Sequence, residues 1–136
     1  MNYQALRELC LSFEGTYDYQ PFNANDPKYR TVTVFYVGPK WFCMADDENF
    51  ESINLKHDPE LIPNLIDTYS GIRPAYHMNK KHWISVFMDD DVPDELIAKL
   101  VRRSYELVFA KLTKKEKAEL DFMKDFKKDE LPQDEP

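Results

Sequence analysis

The residues best equipped for chemistry lie in one stretch: Gly71-Ile72-Arg73-Pro74-Ala75-Tyr76-His77-Met78-Asn79-Lys80-Lys81-His82-Trp83-Ile84-Ser85-Val86-Phe87. It holds two of the three histidines and three basic residues, with no acid among them, in a chain of formal net charge -7. Arg73, Lys80 and Lys81 are suited to phosphate oxygens, and Tyr76, His77 and Asn79 to stacking on or hydrogen bonding to bases. Lys56 and His57, at the end of an earlier strand, join this set if the sheet brings them near. The turns at Gly38-Pro39-Lys40 and around Lys28 to Arg30 are candidate wings. The competing reading places Tyr76, Met78 and Trp83 in the core, because large aromatic residues are usually buried there. It gives Asn79 to loop backbone and leaves Lys80 and Lys81 as a solvated pair.

Other chemistries find less support. His57, His77 and His82 stand twenty and five positions apart, without the close ligand pairs typical of zinc sites. Cys43, in Trp41-Phe42-Cys43-Met44, reads as strand core, where a thiol is unreactive. Asp46-Asp47-Glu48 and Asp89-Asp90-Asp91 lack the spacing of a calcium loop and read as solvated turns. No catalytic motif is present, so neither an enzyme nor a cofactor is expected.

Charge and size narrow the class further. The 136 residues fit one domain, and 43% hydrophobic residues suffice for a core. No apolar run nears the roughly 20 residues that span a bilayer, so no membrane partner is expected. The first fourteen residues lack the layout of a signal peptide, and Cys10 and Cys43 sit among apolar neighbours. Reduced, buried thiols in a cytoplasmic monomer are the expectation. The body, residues 1–112, has twelve basic and seventeen acidic residues, and residues 113–136 have six lysines and eight acids. Removing the C-terminal segment therefore leaves no basic domain, and an anion site has to be a local patch.

The elements that must position the basic stretch follow from spacing. Tyr3, Leu6, Leu9, Cys10 and Phe13 repeat at helical intervals over 2–13, with Gly15 as a left-handed cap. Strands are expected at 16–22, 30–37, 40–45 and 50–56, the last three as an antiparallel meander. Asp58-Pro59-Glu60 is expected to open a helix that carries Leu61, Ile62, Leu65 and Ile66 inward and ends near Gly71. Residues 72–81, interrupted by Pro74, read as an ordered loop. The strand 82–88 puts Trp83, Ser85 and Phe87 on one face and Ile84, Val86 and Met88 on the other. A long helix follows over 94–111, and Thr113-Lys114-Lys115-Glu116 is a capping box for another. The expected fold class is α+β, an antiparallel β-sheet with helices packed on one side. One domain spans 1–123, and 124–136 is an acidic tail expected to be disordered.

Ile53-Asn54-Leu55-Lys56, Asp58-Pro59-Glu60-Leu61 and the run from Gly71 to Trp83 together resemble the MmcQ/YjbR family. Cys10-Leu11-Ser12, Pro93-Asp94-Glu95-Leu96 and Ser104-Tyr105 support the resemblance, which covers roughly residues 2 to 120. It implies a small bacterial protein with a fold related to the frataxin-like and secretion-chaperone-like folds. It also implies DNA binding through a double-wing arrangement of sheet and loops, with no enzymatic activity. On this reading Lys56, Arg73, His77, Asn79, Lys80 and Lys81 meet DNA, weakly and mainly at its backbone. The alternative is a protein-interaction module that receives a protein partner on the sheet or beside the loop.

Overall fold

The computed structural model describes residues 1–22, 26–75 and 78–124. The expected disordered tail falls outside this range, apart from Lys124. Helix α1 (Tyr3–Ser12) starts at Asn2, whose side chain accepts the Ala5 N–H at 2.8 Å. Gly15, at φ +76°, turns the chain into strand β1 (Thr16–Tyr19), as a left-handed position requires. Strands β2 (Val32–Val37), β3 (Lys40–Asp46) and β4 (Ser52–Lys56) form the expected meander. After helix α2 (Ile62–Thr68) come β5 (Ile72–Pro74) and β6 (Trp83–Phe87), then helices α3 (Asp94–Ala110) and α4 (Lys114–Lys124). All neighbouring strands are antiparallel, in the order β1-β2-β3-β4-β6-β5. This is the α+β fold expected from the sequence.

Period-two alternation divides the sheet into two faces. Phe35, Cys43, Leu55 and Ile84 lie in register across four strands, as do Ala45, Ile53, Val86 and Ile72. These rows meet Leu6, Ile97, Val101 and Val108 of the helices in one buried core. The opposite face carries a second set of rows, with Tyr17 opposite Tyr36, Val34 opposite Met44, and Asn54 opposite both Met44 and Ser85.

Two local expectations need correction. Residues 72–81 are not wholly loop, because Ile72–Pro74 forms an edge strand paired with β6. A proline tolerates this position because only an outermost strand has a side on which its missing N–H is not needed. Helix α2 begins at Ile62 rather than beside Asp58, with Pro63 in its first turn. The Leu61 N–H bonds the Asp58 carbonyl in a turn, and the Leu61 side chain is 49% exposed rather than inward. The Asp58 carboxylate, instead of capping, takes two hydrogen bonds from the Arg103 guanidinium at 2.9 and 2.8 Å.

The capping box forms as expected: Thr113 Oγ1 accepts the Glu116 N–H, and Glu116 Oε1 accepts the Thr113 N–H. Asp91 is more than a solvated turn residue. Its two oxygens accept the N–H groups of Ser70 and Gly71, each at 2.8 Å, and tie the start of β5 to the turn before α3. Those bonds hold the Asp91 carboxyl below the usual carboxylate range, Gly71 contributing most.

At β3 the pairing slips. Phe35 opposes Cys43 while Tyr36 opposes Trp41, so Phe42 is an extra residue in a bulge. Phe42 turns into the core against Phe13 and Tyr105. The buried Ser104 hydroxyl donates to the Phe42 carbonyl and accepts the Lys56 N–H. A side chain of α3 thus closes a gap between β3 and β4 beyond their last ladder pair, Cys43 with Leu55.

Candidate functional site

Strand directions sort the charges. The start of β3, the end of β4 and the start of β6 share one end of the sheet, because Lys56 pairs with Trp83 and the His57 N–H bonds the His82 carbonyl. Lys40, Lys56, Lys80 and Lys81 therefore gather at that end. Lys40 Nζ donates to the Lys111 carbonyl at 3.2 Å, which brings the C-terminus of α3 and the Lys111 ammonium to the same place. A lysine there also complements the negative end of the helix. Burial lowers the Lys56 pKa, and the nearby Lys111 and Lys40 charges lower it further. Three ammonium groups are crowded at this end, and an anion between them would relieve the repulsion.

The other end of the sheet is acidic. The β3–β4 turn supplies Asp46, Asp47, Glu48 and Glu51, and the β6–α3 turn supplies Asp89, Asp90 and Asp91. The Met88 N–H bonds the Glu51 carbonyl, so the two turns are neighbours. The basic end holds acids as well: Asp58 and Glu106 are paired with Arg103, and Glu116 serves the cap. Glu14, Glu60 and the α4 residues Glu119 and Asp121 also belong to it, α4 packing through Leu120 against Gly15 and Gly38.

This polarity divides the residues nominated from sequence. Lys56, Lys80 and Lys81 come together, the last two exposed. Arg73 does not join them. Its guanidinium lies 4.0 Å over the Phe87 ring, 3.8 Å from Asp90, with Nε donating to the Ser70 carbonyl at 3.2 Å. It belongs to the acidic end. Asn79 organises the loop: its Oδ1 accepts the Lys81 N–H, and its carbonyl accepts those of His82 and Trp83. His77 and Tyr76 lie outside the described residues. The two candidate wings lie at opposite ends of β2, Gly38-Pro39 at its finish and 28–30 before its start.

The spacing of the sequence did not reveal a groove on the helix-free face, of about 670 Å³. Phe22, Tyr29 and Trp41 form one side and Met78, Asn79 and Trp83 the other, with Met44, Ser52 and Asn54 also lining it. Trp83 and Met78, expected in the core, are half-buried here. Tyr17 stacks on Tyr36 at 4.9 Å, Tyr36 meets Trp41 edge-on at 6.2 Å, Trp41 meets Phe22 at 6.2 Å and Phe22 meets Tyr29 at 6.3 Å. Five rings thus form a continuous ladder across the open face. The signal was available in β2, where Val32, Val34 and Tyr36 alternate with Thr33, Phe35 and Val37. A strand apolar on both faces has a second surface to cover or to use.

The remaining titratable groups sit apart from the groove. Among the described residues, no group of three or more His, Cys, Asp and Glu could hold a metal ion. Cys10 and Cys43 are buried free thiols, and burial with the adjacent Cys43 raises the Cys10 pKa far above the thiol range. His57 is buried, and its Nδ1 has no hydrogen-bond partner among the described residues. Burial, outweighing Asp58, lowers its pKa below 6.5. The unfolded chain therefore takes up this proton first, and stability should fall as pH drops below about 6.5 until the folded histidine itself titrates. Urea melts at pH 8, 6 and 5 should show this decline, and His57→Gln should flatten it. An equally steep decline in His57→Gln would assign the effect elsewhere.

No described helix is long and apolar enough to cross a membrane. The YjbR family model matches residues 11–107, over half of the chain. The chain belongs to the YjbR family. The uncharacterised YjbR protein of Escherichia coli K12 is 40% identical over 107 residues, 78% of this chain and 86% of that protein. The uncharacterised YbdF protein of Escherichia coli O157:H7 is 38% identical over 110 residues, 80% and 78% of the two chains. The crystal structure of Deinococcus radiodurans DR2400, a DUF419 domain, superposes with a TM-score of 0.77 at 33% identity, covering 98% of this chain and 91% of that one. A Pseudomonas syringae protein superposes at 0.64 with 29% identity, covering 79% and 98%. The YjbR match contains β1 to β6, most of α3 and every residue that lines the groove, and leaves out α4 and most of α1.

Proposed function

We propose that this YjbR-family chain is a binding protein rather than an enzyme, and that its ligand is DNA or a related nucleic acid held by its phosphates. The observation that carries this reading is the gathering of Lys40, Lys56, Lys80, Lys81 and Lys111 at one end of the sheet. Three of these come from the residues nominated by sequence, Lys40 comes from the Gly38-Pro39-Lys40 wing, and Lys111 is added by the fold. With net charge -7, the remainder of the protein repels phosphate, so approach is confined to this end and binding is weak.

Fluorescence anisotropy with labelled DNA, read from about 50 to 200 mM salt, tests the reading. About four phosphate contacts give a slope of log K against log salt near -3.6, at roughly 0.9 per contact. Dissociation constants of about 10⁻⁴ to 10⁻⁶ M are expected, as for sequence-independent binding. No detectable binding at the lowest salt would overturn it. The acidic end favours a second reading, a protein-interaction module. A stoichiometric, nuclease-insensitive partner with a basic surface would support that instead.

A further inference from the structure

Building on the phosphate reading, we infer that the groove on the open sheet face receives unpaired nucleobases, so that the preferred ligand is single-stranded nucleic acid. Trp41 and Trp83 line opposite sides of a groove of about 670 Å³, large enough for more than one base. Aromatic side chains hold bases by stacking, with little dependence on sequence. A duplex buries its base faces and cannot use such a surface.

The charge layout fixes how a strand would lie. Trp83 is the cross-strand partner of Lys56 and follows Lys80 and Lys81 in the chain, so the lysine-bearing backbone borders the groove at this end. Asp46 and Glu51 line the other end, where they repel phosphate and accept hydrogen bonds from exocyclic amines. Between them, Ser85 Oγ donates to Asn54 Oδ1 at 2.6 Å, which leaves the Asn54 amide nitrogen as a donor beside the groove. An apolar middle, a cationic end and an acceptor end match a nucleotide with its phosphate toward Lys56.

A peptide is the weaker fit. The floor is made by β3 and β4, both already paired on each side, so their backbone offers no ladder bonds to an added strand.

The test compares a short oligothymidine with a hairpin duplex of equal phosphate number, using the full chain at about 50 mM salt. Expected are at least tenfold tighter binding of the single strand, and quenching of tryptophan fluorescence by it but not by the duplex. Trp83→Ala should weaken single-strand binding about tenfold with duplex binding unchanged, and Trp83→Phe should restore most of the loss. The comparison on the unaltered protein stands whether or not Trp83→Ala folds. Equal affinities with unquenched fluorescence would overturn the groove inference and leave the lysine reading intact. Failure to bind either ligand would overturn both. Quenching by a lysine-rich peptide, with no quenching by the oligonucleotide, would assign the groove to a protein partner and overturn the inference.

Discussion

Ser104→Ala should destabilise the protein by roughly 2–4 kcal/mol, as two buried polar groups lose their partner at about 1–3 kcal/mol each. The Ser104 side chain is fully buried and serves both the Phe42 carbonyl and the Lys56 N–H. Neither group has a ladder partner across β3 and β4 at this point, because the Phe42 bulge ends the pairing at Cys43 and Leu55. Alanine removes one small oxygen and leaves space too apolar to hydrate both groups. Urea unfolding measures the loss, and amide hydrogen exchange at Lys56 should accelerate beyond what global unfolding explains. A change under about 0.5 kcal/mol, the level of ordinary surface substitutions, would show that the strands close the gap themselves.

The second large effect is on binding. Changing Lys56, Lys80 and Lys81 together to glutamine should flatten the salt slope by about 2.7, at roughly 0.9 per phosphate contact. Extrapolated from about 1 M salt to about 50 mM, that slope amounts to roughly a three-thousandfold loss of affinity. Binding that begins in the micromolar range then passes beyond detection. Lys40 is left in place because its ammonium bonds the last turn of α3 through the Lys111 carbonyl. Stability should hold or rise. Lys56 is half-buried and its folded pKa is depressed, first by burial and then by Lys111 and Lys40. The charged form at neutral pH is therefore disfavoured by folding, and this penalty is relieved only as pH rises through the folded value toward 10.5. A residue that weakens the fold while favouring an anion is the pattern expected of a binding position. An unchanged salt slope in the triple variant would place the phosphate contacts elsewhere.

The legible parts of this protein are those in which neighbours in sequence decide the outcome. Alternation in β6 correctly separated Trp83, Ser85 and Phe87 from Ile84 and Val86, because side-chain direction in a strand is a local property. The Thr113–Glu116 box is equally local. Arg73 was legible as a cation but not in its destination, since Asp90 and Phe87 reach it only once β5 has turned back along β6. Lys40 was named in a candidate wing, but its meeting with Lys111 escaped notice for the same reason, the two being 71 positions apart in the chain. Asp58 had the sequence signature of a helix cap, yet the Arg103 fork 45 residues away outcompeted that role. The groove was hidden because its rings come from four separate segments, and only the strand order sets them side by side.

The outermost strands β1 and β5 have four and three residues, and Pro74 ends the shorter one. Long, straight sheet margins invite copies of a protein to add to one another in register, and brevity with a proline blunts that tendency. The face with the aromatic ladder can thus remain uncovered in a concentrated solution without a neighbouring margin to start a fibril. The chain should tolerate high expression, and lengthening β5 by Pro74→Val should be the substitution that makes it precipitate.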